Sequence, residues 1–215
     1  MTPNNIVNMA KIKGLDMIAV ADHNSARHLP VISRVAQEVG VALLPAIELN
    51  TREEVHMLAY FESVEAAVDF SEEIYEYLPK VKNRASLFGR QALMDEDDEI
   101  IGEEERLLIN ALSLSIDDLA FMLKDRKALA VPAHINRGSN GILQALGFVP
   151  PTEPFSALEV SVGLPLPHKG LPSLPHLHSS DAHYLENMLE ATEFLTLDSC
   201  TPRGFFDYIQ NWKGN

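Results

Sequence analysis

Residues 14–24 read GLDMIAVADHN. Gly14 suits the end of a helix, and Asp16 to Ala21 is a short, nearly unbroken apolar run. Such a run, bounded by a helix stop and by polar residues, has the pattern of a strand buried on both faces. Asp22, His23 and Asn24 follow it without a gap. Titratable residues at the C-terminal end of a buried strand are how α/β folds assemble sites, because neighbouring strand ends converge on one mouth.

Working outward, Thr2 and Pro3 have the cap and first-turn chemistry of a helix whose apolar stripe is Ile6, Val7, Met9, Ala10 and Ile12. Residues 26–39 read as a second helix ending at Gly40, followed by strands over 41–49 and 55–61. The rhythm resumes with a strand at 128–131, a helix near 139–147, a strand at 157–162 and a short strand leading into Ser179 and Ser180. It closes with a helix at 184–191, a strand at 194–197 and a helix from 202 to 212. Alternation of helix with short apolar strand predicts a parallel α/β sheet or barrel. The expected barrel is 1–62 together with 126–215, and 63–125 is expected to be an insertion between its strands. That insertion holds a helix from Val64 to Leu78, a hairpin around the acidic run Asp95 to Glu99, and a helix capped by Ser115. The acidic run reads as a solvated turn.

The chain has 215 residues and a formal net charge of −14. An acidic surface repels a phosphate backbone at long range, so a nucleic-acid partner is not expected. Cys200 is the one cysteine, which excludes an intrachain disulfide and fits a reducing compartment. No run approaches the ~20 apolar residues of a membrane span, and the first residues lack the apolar core of a signal peptide. No membrane partner and a cytoplasmic location are expected. No glycine-rich nucleotide fingerprint and no Gly-x-Ser-x-Gly elbow is present.

The chemistry gathers at strand ends. Asp22 and His23 follow the first strand, Glu48 ends the second, His56 opens the third, His134 follows 128–133, and Asp181 and His183 follow the strand near 177–180. Taken alone, each His reads as a loop or core residue, His56 above all. Five such positions at successive strand ends do not read as chance. Glu48 lies in the apolar run Leu43 to Ile47, where an unpaired carboxylate is costly. These histidines and carboxylates at one mouth make a mixed N/O site suited to Zn, Mn or Fe. His168, His176 and His178 lie in the Pro-rich stretch 163–178 and read as loop histidines.

Four segments in order then resemble one family. GLDMIAVADHN resembles the strand ending in Asp-His of the polymerase and histidinol phosphatase (PHP) superfamily. AIELNT, with the His of HMLAYF, resembles its metal-bridging Glu motif. PAHINR resembles its His-Pro-x-Arg-like stretch, with Ile135 where Pro is common, and SSDAH resembles its closing Ser-Asp-x-His motif. The resemblance implies a distorted (β/α)7 barrel with up to three divalent metals. It implies that His23 and His56 bind one metal, that Glu48 bridges it to a second also ligated by Asp181, and that His134 and His183 serve a third. Asp22 is then a ligand or orients its neighbour, and Arg137 grips a phosphate. The implied reaction is hydrolysis of a phosphate ester, on a small phosphomonoester or a nucleotide, with Glu48 and Arg137 as the catalytic pair.

The family's first motif, a strand with His-x-His, has no counterpart here, since no His precedes His23. The expectation is a barrel lacking its first strand and an incomplete metal site. The favoured explanation is that Met1 is an internal methionine of a longer protein. The alternative is a degenerate, non-catalytic metal- or ligand-binding module of regulatory type. A metal-dependent amidohydrolase is a third, weaker reading. The exposed barrel edge is expected to favour a homo-oligomer.

Overall fold

Thr2 caps the first helix, α1 (Pro3–Ile12), by accepting the Asn5 amide, with Pro3 in the first turn. The computed structural model describes residues 1–150, 154–166 and 170–214. After α1 come β1 (Met17–His23), α2 (Leu29–Val39), β2 (Ala42–Asn50) and β3 (His56–Tyr60). Gly40 ends α2 in the left-handed conformation that a side chain disfavours. Next are α3 (Val64–Tyr75), the single turn α4 (Ala85–Phe88), the hairpin β4 (Ala92–Met94) and β5 (Ile100–Glu103), and α5 (Ile116–Asp125). The chain continues through β6 (Leu129–Pro132), α6 (Ile142–Leu146), β7 (Leu158–Ser161), β8 (His176–Ser179) and α7 (Pro202–Gln210).

The main sheet has the order β1-β2-β3-β6, and β7 and β8 form a second, parallel pair. Ala130 and Phe155 bridge the two in parallel. The fold is mixed α/β, and among the described residues the strands form no closed barrel.

The expectation of a wholly parallel sheet fails at β3. It runs antiparallel to both β2 and β6. The reason is its connection: residues 51–55 form a tight hairpin in which the Thr51 and Val55 backbones pair at 2.9 Å. A parallel strand needs a crossover of a dozen or more residues.

Both faces of the sheet are covered. On one, Ile47, Leu49, Met57, Ala59 and Leu158 pack with Phe70 and Ile74 of α3 and Leu119 and Leu123 of α5. On the other, Leu44, Ala46, Leu58, Tyr60, Leu129 and Val131 meet Phe205, Phe206 and Ile209 of α7. Two covered faces explain why the strands read as continuous apolar runs rather than alternating ones. Val7 and Ala10 of α1 pack on Ile32, Val35 and Ala36 of α2 at the β1 side.

The acidic hairpin turn is more than a solvated loop. Asp98 accepts the Thr2 hydroxyl at 2.6 Å and the Asn4 amide at 3.1 Å. It therefore sits on the positive end of α1, where a carboxylate is favoured. Arg34 of α2 adds an ion pair to Glu96 at 2.5 Å.

Two expected elements are absent from the described residues. Within 184–191 only one 3₁₀ turn forms, Leu185–Asn187, and 194–197 is irregular. Tyr184 is 64% exposed and Phe194 78% exposed; Met188 and Leu197 pack against the core only partly buried, too little to hold short segments that need such packing. His176 and His178 lie on β8 rather than in a loop, and His178 pairs with Glu193 at 3.1 Å. His168 lies outside the described residues.

Candidate metal centre

The parallel pairing of β1 and β2 sets His23 beside Glu48. Across the antiparallel pair, Glu48 faces Leu58 and Asn50 faces His56, so Glu48 and His56 are diagonal neighbours on one face. That face is the one covered further down by α7, and at its open end the side chains converge. One ligand atom from each of His23, Glu48 and His56 lies within 4.8 Å of the others.

Glu48 is the hub. Its Oε2 is 3.2 Å from His23 Nδ1, and its Oε1 is 3.0 Å from His56 Nδ1 and 3.6 Å from His134 Nε2. The two carboxylate oxygens therefore face different imidazoles. Burial alone would push the Glu48 carboxyl up. The adjacent imidazoles of His134 and His56, with the charge of His56 and His23, outweigh it and hold Glu48 well below the usual carboxylate range. Burial lowers His23, against the pull of Glu48. His134 is also buried, but Glu48 outweighs that burial and raises it.

The imidazoles form a row. Ring centroids are 6.4 Å apart for His183 and His23, 5.2 Å for His23 and His56, and 5.2 Å for His56 and His134. The His23 Nδ1 and His134 Nδ1 atoms are buried without a hydrogen-bond partner. The 3.2 Å approach of His23 Nδ1 to Glu48 is thus proximity without hydrogen-bond geometry, as between two ligands flanking a common point. Unpaired imidazole nitrogens around a buried carboxylate match the N/O donor set of a divalent transition metal, and the residues present fit such an ion.

Asp181, His183 and Arg137 stand at the rim. Arg137 Nη1 is bonded to Asp181 Oδ2, and His183 Nδ1 is 3.0 Å from the Asp181 carbonyl. Arg137 is 44% exposed and His183 is 59% exposed at the side chain, so both reach solvent at the opening. Asp22 does not join the cluster. Side chains alternate along a strand, and the Asp22 carboxylate accepts from His28 Nδ1 at 2.8 Å, which raises the His28 imidazole.

Two neighbours of the expected residues prove structural. Asn24 Nδ2 donates to the carbonyls of Leu108 (2.8 Å) and Asn110 (3.0 Å), and Asn24 Oδ1 accepts the Asn50 amide at 3.0 Å. These bonds stitch residues 108–112 to the ends of β1 and β2. Glu159 was not singled out from the sequence. It is 4% exposed in the middle of β7, and its Oε2 accepts the His134 amide at 2.8 Å. The signal was available: Glu159 sits between Leu158 and Val160 in an apolar run, the cue that marked Glu48.

No family model and no curated protein matches this chain. Solved structures do. The lesion-specific endonuclease PfuEndoQ of Pyrococcus furiosus aligns with the whole chain at a TM-score of 0.66 and 19% identity. The chain has a PHP-type fold. An endonuclease Q in complex with a 27-mer duplex substrate carrying an abasic lesion at its active site aligns at 0.61 and 18% identity, again over the whole chain. The chain spans 52% and 53% of those two proteins, about half their length. A protein from Bifidobacterium adolescentis, provisionally a metal-dependent phosphoesterase, aligns over 76% of this chain and 73% of its own, at 0.51 and 18% identity. The PHP-type likeness was carried by four motifs in the sequence, and here it rests on the arrangement of the strands.

These structures overturn the expectation against nucleic acid. One of the two structures that align over the whole chain is an endonuclease Q holding a 27-mer duplex substrate. Net charge of −14 bears on long-range, non-specific attraction. It does not decide whether one phosphate can be held at a local mouth.

Proposed function

We propose that this protein is a metal-dependent hydrolase of phosphate esters whose substrate class is a nucleic-acid phosphodiester. The observation that carries this is the convergence of His23, Glu48 and His56 within 4.8 Å at one end of a PHP-type fold. The whole-chain likeness to endonuclease Q supports the substrate class. In this reading the strands belong to a distorted barrel, 63–125 is an insertion, and the location is cytoplasmic.

His23, Glu48 and His56 would hold a divalent ion of the Zn, Mn or Fe type, with His134, Asp181 and His183 available to further ions. Bound there, such an ion lowers the pKa of water and neutralises charge on the phosphoryl oxygens. The protein's own groups do the rest. Glu48 turns an oxygen to each side and keeps the imidazoles in register. His134, buried beside it, excludes bulk water from the inner side of the cluster. Arg137 at the rim offers a planar pair of donors to a phosphoryl oxygen. Asp181 orients that guanidinium until the phosphate takes it. The segment 108–112, tied down by Asn24 and Asn50, forms one wall of the approach and shapes substrate choice.

The test is cleavage of three substrates in the presence of manganese or zinc: a duplex with one abasic site, the intact duplex, and an aryl phosphomonoester. Metal-dependent cleavage of the abasic duplex, abolished by His56→Ala, is expected. Cleavage of the aryl ester alone would move the substrate class to small phosphomonoesters. No metal-dependent hydrolysis of any of the three would contradict the proposal.

A further inference from the structure

His134 carries a positive φ of 30°. A non-glycine residue in that region is held there by its surroundings. Three hydrogen bonds fix this turn. The Ala133 amide donates to the His56 carbonyl at 3.0 Å, the Ile135 amide to the Glu159 carbonyl at 2.9 Å, and the Arg137 amide to the His134 carbonyl at 2.8 Å. The fourth comes from a side chain: the His134 amide donates to Glu159 Oε2 at 2.8 Å. Glu159 thus takes two successive amides of the turn, one on its carboxylate and one on its main chain. Its other oxygen accepts the Ser179 hydroxyl of β8.

Glu159 is buried on the strand face that carries the cluster, while Leu158 and Val160 point into the opposite core. A buried carboxylate is costly, and an apolar residue of the same size would be cheaper unless the hydrogen bonds have a use. Their use is geometric. With the His134 peptide held, its Nε2 stands 3.2 Å from His56 Nδ1 and 3.6 Å from Glu48 Oε1. Freed of Glu159, the peptide can relax to negative φ, and the imidazole swings away from Glu48.

From this geometry we infer that Glu159 is a positioning residue for His134, presenting that imidazole to the metal cluster through its backbone. The inference rests on the metal-centre reading above and extends it to a residue outside the ligand set.

The experiment is a cobalt(II) titration of the full chain, followed by calorimetry and by the visible spectrum of bound cobalt, with folding checked by circular dichroism. Glu159→Leu keeps the volume but removes the acceptor, and it is expected to weaken cobalt by about 10–100-fold, the usual effect of losing an outer-shell partner. The cobalt spectrum should change with it. Glu159→Gln retains an acceptor for the His134 amide and is expected to stay within about threefold of wild type. In a His134→Ala background, Glu159→Leu should cost nothing further, because the effect runs through His134. Should Glu159→Leu not fold, Glu159→Asp, one methylene short of the His134 amide, takes its place with the same expectation. Wild-type affinity in the Leu or Asp variant, or an undiminished loss in the His134→Ala background, would overturn this inference alone. A wild-type chain that binds no cobalt would overturn the metal-centre reading and this inference with it.

Discussion

His56 reaches Glu48 diagonally across the β2–β3 pair, with Nδ1 3.0 Å from Oε1. The contact exists because β3 folds straight back on β2 through residues 51–55. Antiparallel return places the start of β3 next to the end of β2, so a His at the N-terminal end of one strand meets a Glu near the C-terminal end of the other. A parallel β3 would have carried His56 to the opposite end of the strands. The reversal that departs from the expected topology is therefore what completes the cluster.

Asn24 ties the ends of β1 and β2 to residues 108–110. Its amide and carbonyl make three hydrogen bonds, and its φ is 49°. Asn24→Ala should destabilise the fold by about 2–4 kcal/mol, combining lost buried hydrogen bonds with left-handed backbone strain. Asn24→Gly relieves the strain and should recover about 1 kcal/mol of that loss. Chemical denaturation of the two variants separates the terms. Equal stability of both would mean that backbone conformation contributes nothing at this position.

Gly141 closes the turn that carries His134 and Arg137. A Cβ there would stand 2.6 Å from the Arg137 carbonyl oxygen and 3.0 Å from that of His134. Both obstacles are backbone, so the turn itself must move. Gly141→Ala should cost about 1–3 kcal/mol in stability and weaken metal binding, because the shift falls on His134. Unchanged melting and unchanged metal affinity would show that the turn accommodates the methyl group.

Asp98 gives a pH-dependent prediction. Burial raises its carboxyl, but hydrogen bonds from Thr2 and Asn4 outweigh that and lower it. A carboxyl whose folded pKa is depressed contributes stability above its unfolded value, about 3.9, and loses it as pH falls through the folded value. Asp98→Asn should therefore cost about 0.5–1 kcal/mol near neutral pH, as for a charge at a helix N-terminus. The gap to wild type should close as the pH drops below the carboxyl range. A gap that is constant with pH would assign the effect to hydrogen bonding alone.

The residues that could be found in the sequence share a physical cause. His23, Glu48 and His134 sit at or near the ends of apolar strands, and the change from apolar to titratable is visible one residue at a time. Glu159 escaped because its partner is an amide 25 positions away, and a single Glu inside a strand gives no hint of which peptide it holds. The direction of β3 could have been read from its five-residue connection, since no crossover fits there. The helix expected at 184–191 had a suitable pattern, but whether a buried face receives it is a tertiary fact. The acidic turn looked solvated because its partners, Thr2 and Asn4, lie more than 90 residues earlier. Net charge could not exclude a nucleic-acid substrate, because it sums the whole surface, whereas binding is decided at one mouth.

His23, Glu48 and His56, converging within 4.8 Å, form the proposed divalent-ion site. The most direct measurement is equilibrium dialysis against zinc, with elemental analysis of the retained metal, on the wild-type chain and on Glu48→Gln and His56→Ala. Stoichiometric zinc on the wild type and its loss from both variants, each still folded, are expected. No zinc on the wild type, or zinc retained equally by all three, would contradict the proposed site.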